Sequence, residues 1–353
     1  MSTNNLPPFP SNVPTAPLVR LSLSKLQSHD VAESQRLLQA CEDIGFFYLD
    51  LQDSTIGANL LTLADELFTL GENLFSLSLK EKQKFDFARQ DSYHGYKAQG
   101  AVVVDRQGNL DANEFYNVSK NDILDLIPPL PSPLLLRHSR PMLKSFIHTS
   151  HTITILLLNH LNTHLSLPPS TLPNLHRLSA LSGDQVRFIK SPAPVHSYST
   201  RKATSTPTMG PHTDFGTLTI LLNRLGGLQV LSPNSEEWTY VKPLPGHAIV
   251  NLGDAMVKFT NGRLRSNVHR VMRPPGEQGG CTRYSVVYFA RAEDDVPLRR
   301  LEGEGIPKEE KGKGKEKVVS SKEWVLKRAL GRRVDLGKGV DYDGTRGTEG
   351  GRY

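Results

Sequence analysis

Helical spacing of apolar residues dominates the first half of the chain, and short alternating or wholly apolar runs dominate the second. Residues 1–17 are polar and proline-rich and read as an extended arm. Leu18–Leu23 alternates as a short strand does. Asp30, followed three residues later by Glu33, is an N-cap signature for a helix that runs through Ala40 and Cys41 and stops at Gly45. Phe46–Leu49 reads as a buried strand. Further helices are expected from Thr55 to Phe75, from the Ser78–Glu81 capping box, and from Ser139 to about Leu165, with a loop over Asp91–Gly100. Beyond Asp184, Val186–Ile189, Thr217–Leu222, Leu228–Leu231, Trp238–Val241, Ala248–Leu252, Asn267–Val271 and Tyr284–Ala290 are β-branched or aromatic runs punctuated by Gly and Pro. That texture predicts a sandwich, barrel or jelly roll. Gly303–Lys317 is low-complexity, Ser321–Leu330 reads as a short helix, and the last 15 residues are glycine-rich with no expected order.

Composition narrows the class. The 353 residues, 37% hydrophobic and 22% charged, are enough for a substantial core. Cys41 and Cys281 cannot supply a disulfide framework, and neither a secretory leader nor an 18-residue apolar run is visible, so a cytoplasmic protein without a membrane partner is expected. The net charge of +6 invites a nucleic-acid reading. Yet Arg299–Tyr353 alone holds 15 Lys/Arg against 10 Asp/Glu, leaving only +1 for residues 1–298. The basicity belongs to the tail, and no nucleic-acid partner is expected.

Only one of the twelve histidines, His212, stands two residues before an acid, Asp214. At a strand or its exit, positions i and i+2 share a face, so imidazole and carboxylate converge. His269, 57 residues on, is the candidate third ligand. Two imidazoles and one carboxylate suit mononuclear non-haem Fe(II), with coordination positions left for co-substrate and O2. A structural zinc site would need a fourth ligand, for which Cys281 is the nearest thiol. Fourteen residues after His269, Arg283 and Ser285 share one strand face and offer a guanidinium fork and a hydroxyl to a carboxylate.

With these residues in this order the chain resembles the Fe(II)/2-oxoglutarate-dependent dioxygenase superfamily, in its isopenicillin N synthase-like branch. The resemblance runs from about Val19 to Phe289. It is carried by Ala40–Tyr48 (ACEDIGFFY) and by HTDFGTLTILL, GGLQVL, VNLGDAMVKFTNGRLRSNVHRV and RYSVVYF. It implies a mainly β fold, a distorted double-stranded β-helix or jelly-roll core flanked by α-helices. It also implies His212, Asp214 and His269 as iron ligands, and Arg283 and Ser285 as the grip on the distal carboxylate of 2-oxoglutarate. Many relatives carry a tyrosine before the proline of a co-substrate strand; here Ser191 precedes Pro192, a shorter hydroxyl. The implied division is an arm (1–17), a helical region (18–180), a jelly-roll domain (181–300) and a basic insertion, short helix and disordered tail (301–353).

The implied activity is oxidation of a small organic, secondary metabolite by hydroxylation, desaturation or ring closure, with release of succinate and CO2. Fe(II), 2-oxoglutarate and O2 are required, ascorbate supports turnover, and the protein is expected to be a monomer. Tyr93, His94 and Tyr96, with Phe259 and Phe289, are candidates for the substrate wall. An Fe(II) oxidase that does not use 2-oxoglutarate, with Arg283 and Ser285 holding a substrate carboxylate, is the alternative enzyme. A catalytically dead jelly-roll binding module is the alternative of another class, disfavoured because every ligand position is filled.

Overall fold

The computed structural model describes residues 6–194, 207–233, 235–308, 317–337, 339–345 and 347–348. Strands come in chain order as β1 (Arg20–Ser22), β2 (Phe46–Asp50), β3 (Gly95–Lys97), β4 (Glu114–Ser119), β5 (Gln185–Ser191) and β6 (Met209–His212). They continue as β7 (Leu218–Asn223), β8 (Leu228–Leu231), β9 (Trp238–Tyr240), β10 (His247–Leu252), β11 (His269–Val271) and β12 (Arg283–Ala290). The helices are α1 (Leu23–Gln27), α2 (Val31–Asp43), α3 (Thr55–Ser76), α4 (Leu79–Gln83) and α5 (Lys120–Ile123). They are followed by α6 (Leu134–His138), α7 (Arg140–His164), α8 (Thr171–Asn174), α9 (Asp254–Phe259) and α10 (Ser321–Leu330).

The strands form an eight-stranded sheet, ordered β1-β2-β10-β7-β12-β5-β4-β3, and a four-stranded sheet, β6-β11-β8-β9. This is the mainly β architecture with flanking helices that the sequence implied. Strands from both halves of the chain bond within the larger sheet, so residue 180 marks a change of texture rather than a break in structure.

Strand alternation organises both faces of that sheet. Phe47, Leu49, Val186, Phe188, Ile220, Val250, Val286 and Tyr288 point to one side, where α2, α3 and α7 bury them in the main apolar core. Phe46, Tyr48 and Ile249 point to the other side and pack on Leu228 and Val230 of the smaller sheet. A strand covered on both faces needs apolar residues at every position, which accounts for the unbroken Phe46-Phe47-Tyr48-Leu49 run. The same inner face carries the polar exceptions: Asn117 on β4, Arg187 and Ser191 on β5, Thr219 on β7, Asn251 on β10, Arg283 and Ser285 on β12.

Four expectations are corrected. The expected loop Asp91–Gly100 contains β3, whose Tyr96 pairs with Tyr116. Residues 7–17 of the expected extended arm are fastened: Tyr240 N–H donates to Pro14 O (2.9 Å), Ala16 N–H to Tyr240 O (2.8 Å) and Gln278 Nε2 to Pro7 O (2.8 Å). The described part of the tail is packed too, with Thr345 buried and Asp343–Thr345 forming a 3-10 turn. Phe259 is fully buried in the main core rather than part of a substrate wall. The long Pro194–Pro207 loop lies mostly outside the described residues.

Candidate metal and anion site

His212 ends β6 and His269 begins β11, and the two are directly opposed in the antiparallel pairing of those strands. Their ring centroids are 4.3 Å apart. Asp214, two residues past the strand end, brings Oδ1 to 3.8 Å from His269 Nε2. One donor atom from each of His212, Asp214 and His269 lies within 4.8 Å of the others. Among the described residues this is the single cluster of three or more His, Cys, Asp or Glu donors of that kind.

The outer bonds decide which atoms face inward. His212 Nδ1–H donates to Gly210 O (2.8 Å) and His269 Nδ1–H to Asn267 O (3.1 Å), so both rings keep Nε2 for a ligand. Asp214 Oδ2 accepts from Thr219 Oγ1 (2.6 Å) and Asn251 Nδ2 (2.7 Å), which leaves Oδ1 for the same point. Such supporting bonds fix tautomer and ring orientation. Burial, and then the neighbouring His269, push His212 down to about 3, so it stands as a neutral ligand at ordinary pH. Burial raises Asp214, but His269, His212 and the Asn251 and Thr219 bonds outweigh it and hold the carboxyl below its usual range. Two imidazoles and one carboxylate fit ferrous iron and leave positions open for exchangeable ligands.

Gly253 seats the loop behind Asp214. Any Cβ there would meet Gly216 O at 2.3 Å, and Asp254 N–H donates to Asp214 O (2.8 Å). Thr213, between the two ligand positions, donates from Oγ1 to Asp254 Oδ2 (2.9 Å). Arg328 of α10 reaches the same oxygen at 2.7 Å, and Thr348 Oγ1 donates to Asp254 Oδ1 (2.8 Å). Trp324 Nε1–H donates to Phe215 O (3.1 Å). Thus the tail anchors the loop that carries Asp214, a role the sequence alone did not indicate.

Arg283 is buried. Its Nη1 donates to Ser285 Oγ (2.6 Å) and its Nε to Gly226 O (2.8 Å), and no carboxylate among the described residues pairs with it. Burial pushes the guanidinium down to about 10, a sign of a cation without a counter-charge. Ser191 is buried and stands directly across from Arg283 in the β5–β12 pairing.

His212 also forms part of the wall of a cleft of about 870 Å³, its mouth included. Tyr93, His94 and Tyr96, the candidates for a substrate wall, line it. Phe289 instead stacks behind Arg187, whose guanidinium carbon lies 4.9 Å from its ring centroid. Arg187, Phe115 and Asn117 line the cleft and were not foreseen, because a charged strand position reads as solvent-facing.

Residues 185–292 match the sequence profile of the 2OG-Fe(II) oxygenase superfamily, and residues 16–131 match the profile described as non-haem dioxygenase in morphine synthesis N-terminal. A 2-oxoglutarate-dependent dioxygenase of Dothideomycetidae sp. is 33% identical over 88% of this chain and 89% of its own length. One of Aspergillus fumigatus is 33% identical over 85% and 81%. Among solved structures, a full-length Neurospora crassa protein in complex with alpha-KG and 5-formyluracil superposes with a TM-score of 0.73 at 22% identity, covering 88% of this chain and 95% of that one. A rice dioxygenase for auxin oxidation gives 0.63 at 21% identity, covering 90% and 96%.

Proposed function

The chain belongs to the 2OG-Fe(II) oxygenase superfamily, and from that premise we propose that His212, Asp214 and His269 hold Fe(II) while Arg283 and Ser285 grip the distal carboxylate of 2-oxoglutarate. As a member of the superfamily it is an oxidoreductase, a 2-oxoglutarate-dependent dioxygenase acting on a small molecule with Fe(II) and O2. The observation that carries the site assignment is the convergence of the three donor atoms, each turned inward by a bond on its far side.

Bound iron supplies oxygen activation coupled to conversion of 2-oxoglutarate into succinate and CO2. The chain's own residues supply the rest. Asp214 balances metal charge, and its bonds from Thr219 and Asn251 keep it ionised and oriented. Arg283, pre-set by Ser285 and Gly226 O, offers a charge-assisted contact to the co-substrate's far end. Ser191, opposite Arg283, adds a hydroxyl where a longer tyrosine is usual in relatives. Trp324 and Arg328 hold α10 against the metal-ligand loop, and Arg328 also walls the cleft, limiting water beside the reacting centre.

The reading extends to a secondary metabolite as substrate, ascorbate as a supporting reductant, and a monomer acting in the cytoplasm without nucleic acid. The match of residues 16–131 to the profile described as non-haem dioxygenase in morphine synthesis supports the first, and the concentration of basic residues in the tail supports the last. No helix of the described residues is long and apolar enough to cross a membrane. Succinate formation by purified protein, with Fe(II) and O2 and with 2-oxoglutarate present or omitted, tests the reading. Substrate oxidation without 2-oxoglutarate would reassign Arg283 to the substrate.

A further inference from the structure

Among the cations of the cleft, Arg187 has no ion pair with a described residue. Lys97 pairs with Asp111, Arg328 with Asp254, and Arg333 with Asp86 and Asp335. Arg332 donates to Thr345 Oγ1 and to Pro211 O. Arg187 donates from Nε to Asn117 Oδ1 (2.7 Å), and no carboxylate among the described residues lies within ion-pair distance of it. Its guanidinium is held between two aromatic faces, 4.2 Å from the Phe115 centroid and 4.9 Å from that of Phe289. Asn117, directly opposite Arg187 in the β4–β5 pairing, is itself fixed by donating to Tyr93 O (2.5 Å). Bonding at Nε and stacking on both planes fix the fork's direction and leave the Nη edge for a ligand in the cleft. Burial, followed by repulsion from Arg291, pushes Arg187 down to about 9 although Asp214 and Tyr93 draw it the other way, so the folded chain carries this charge at a cost that a directly bonded anion would offset. A cation retained only for packing would be expected to have a protein carboxylate in direct contact.

We propose that Arg187 is the anchor for a substrate carboxylate, so that the substrate class is a flat, unsaturated organic acid whose body lies in the cleft beside His212. The flatness follows from the walls: Tyr93, Tyr96, Phe115 and Phe215 line the same space and favour stacking over a bulky saturated body. The anchor is separate from Arg283, which keeps its own bonds to Ser285 and Gly226 O. Two guanidinium groups on one sheet face, Arg187 on β5 and Arg283 on β12, then sort two acids, one being the substrate and the other the co-substrate. This inference rests on the dioxygenase reading above.

The test uses the full chain loaded with Mn(II), which occupies the metal site without turnover, and with 2-oxoglutarate. Isothermal titration compares benzoate, cinnamate and indole-3-carboxylate with their primary amides. At least one acid should bind the wild type roughly tenfold or more tightly than its amide, because only the acid completes the charge pair. Arg187→Gln should erase that preference and leave 2-oxoglutarate affinity unchanged. Arg187→Lys, which keeps charge but loses the fork, should restore part of it. Equal binding of acid and amide, failure of every acid in the panel to bind, or a loss of 2-oxoglutarate affinity in Arg187→Gln overturns the proposal. If wild type binds no 2-oxoglutarate at all, the co-substrate reading fails instead. The acid–amide comparison on Mn(II)-loaded protein then judges Arg187 alone.

Discussion

Arg328 Nη1 lies 2.7 Å from Asp254 Oδ2, with both side chains almost wholly withdrawn from solvent. Asp254 in turn accepts from Thr213, the residue between His212 and Asp214. Removing one partner of a buried ion pair leaves an uncompensated charge, at a cost of about 3–5 kcal/mol. Arg328→Met should therefore lower the melting temperature and weaken Fe(II) retention together, and truncation after Leu301 should do the same. Unchanged iron content and melting temperature in Arg328→Met would show that the tail merely decorates the surface.

Replacing His212, Asp214 or His269 with Ala should abolish Fe(II)-dependent succinate formation while circular dichroism stays native. These side chains line a site, whereas the strands that carry them are held by backbone pairing and by the apolar contacts of Leu228 and Val230. Iron content by metal analysis checks each variant separately. A variant that keeps near-native iron and turnover removes its residue from the ligand set.

Arg283 should govern co-substrate affinity. Truncating one partner of a buried charge pair costs on the order of 2–5 kcal/mol, or roughly 30- to several-thousand-fold in binding. Arg283→Met should raise the KM for 2-oxoglutarate on that scale, and Arg283→Lys should recover part of it. Ser285→Ala should be milder, about 1.5–3 kcal/mol, as for a hydrogen bond to a charged group. A KM unmoved by Arg283→Met would place the co-substrate elsewhere.

Acid should destabilise the fold through buried histidines. His176 is buried; Nδ1–H donates to Leu172 O (2.7 Å) and Nε2 accepts from Thr217 Oγ1 (2.7 Å), so the ring is neutral by construction. Burial holds it below its ordinary value of 6.5, and His160 is shifted the same way. Below 6.5 the unfolded chain binds a proton that the folded one refuses, so stability falls as pH drops, by up to about 1.4 kcal/mol per pH unit for each such group. Urea midpoints between about pH 7.5 and 5 measure the slope, which His176→Gln should reduce. An equal slope in that variant would mean that His176 takes up its proton without unfolding.

Strands covered on both faces, such as Val186–Ile189 and Tyr284–Ala290, were legible in the sequence because double burial leaves an apolar run. Those that were not legible lack one. Strand β6 is Met-Gly-Pro-His, and β4 mixes Glu114 and Asn117 among its aromatics, with Phe115 and Asn117 on the face that borders the cleft. The convergence of His212, Asp214 and His269 was readable from spacing because two imidazoles and a carboxylate in that order are a restricted set of residue types. Arg328, Asp254, Thr219 and Asn251 were not, because their roles depend on which charges and hydroxyls the folded chain brings within reach. Phe259 looked like a wall residue and proved to be core, as an aromatic near a site often does when its helix turns it inward.

The direct opposition of His212 and His269 has a kinetic meaning. His269 lies 57 residues after His212, so their donor atoms meet only once β11 has paired with β6 and the intervening chain has closed on itself. Closure of that kind is slow and comes late, because its entropy must be met before its contacts form. A metal ion added to the unfolded chain would find no preassembled seat and should not speed refolding. Once in place it ties the two ends of that long excursion together, so its effect should be on the rate of opening, lengthening the lifetime of the native state.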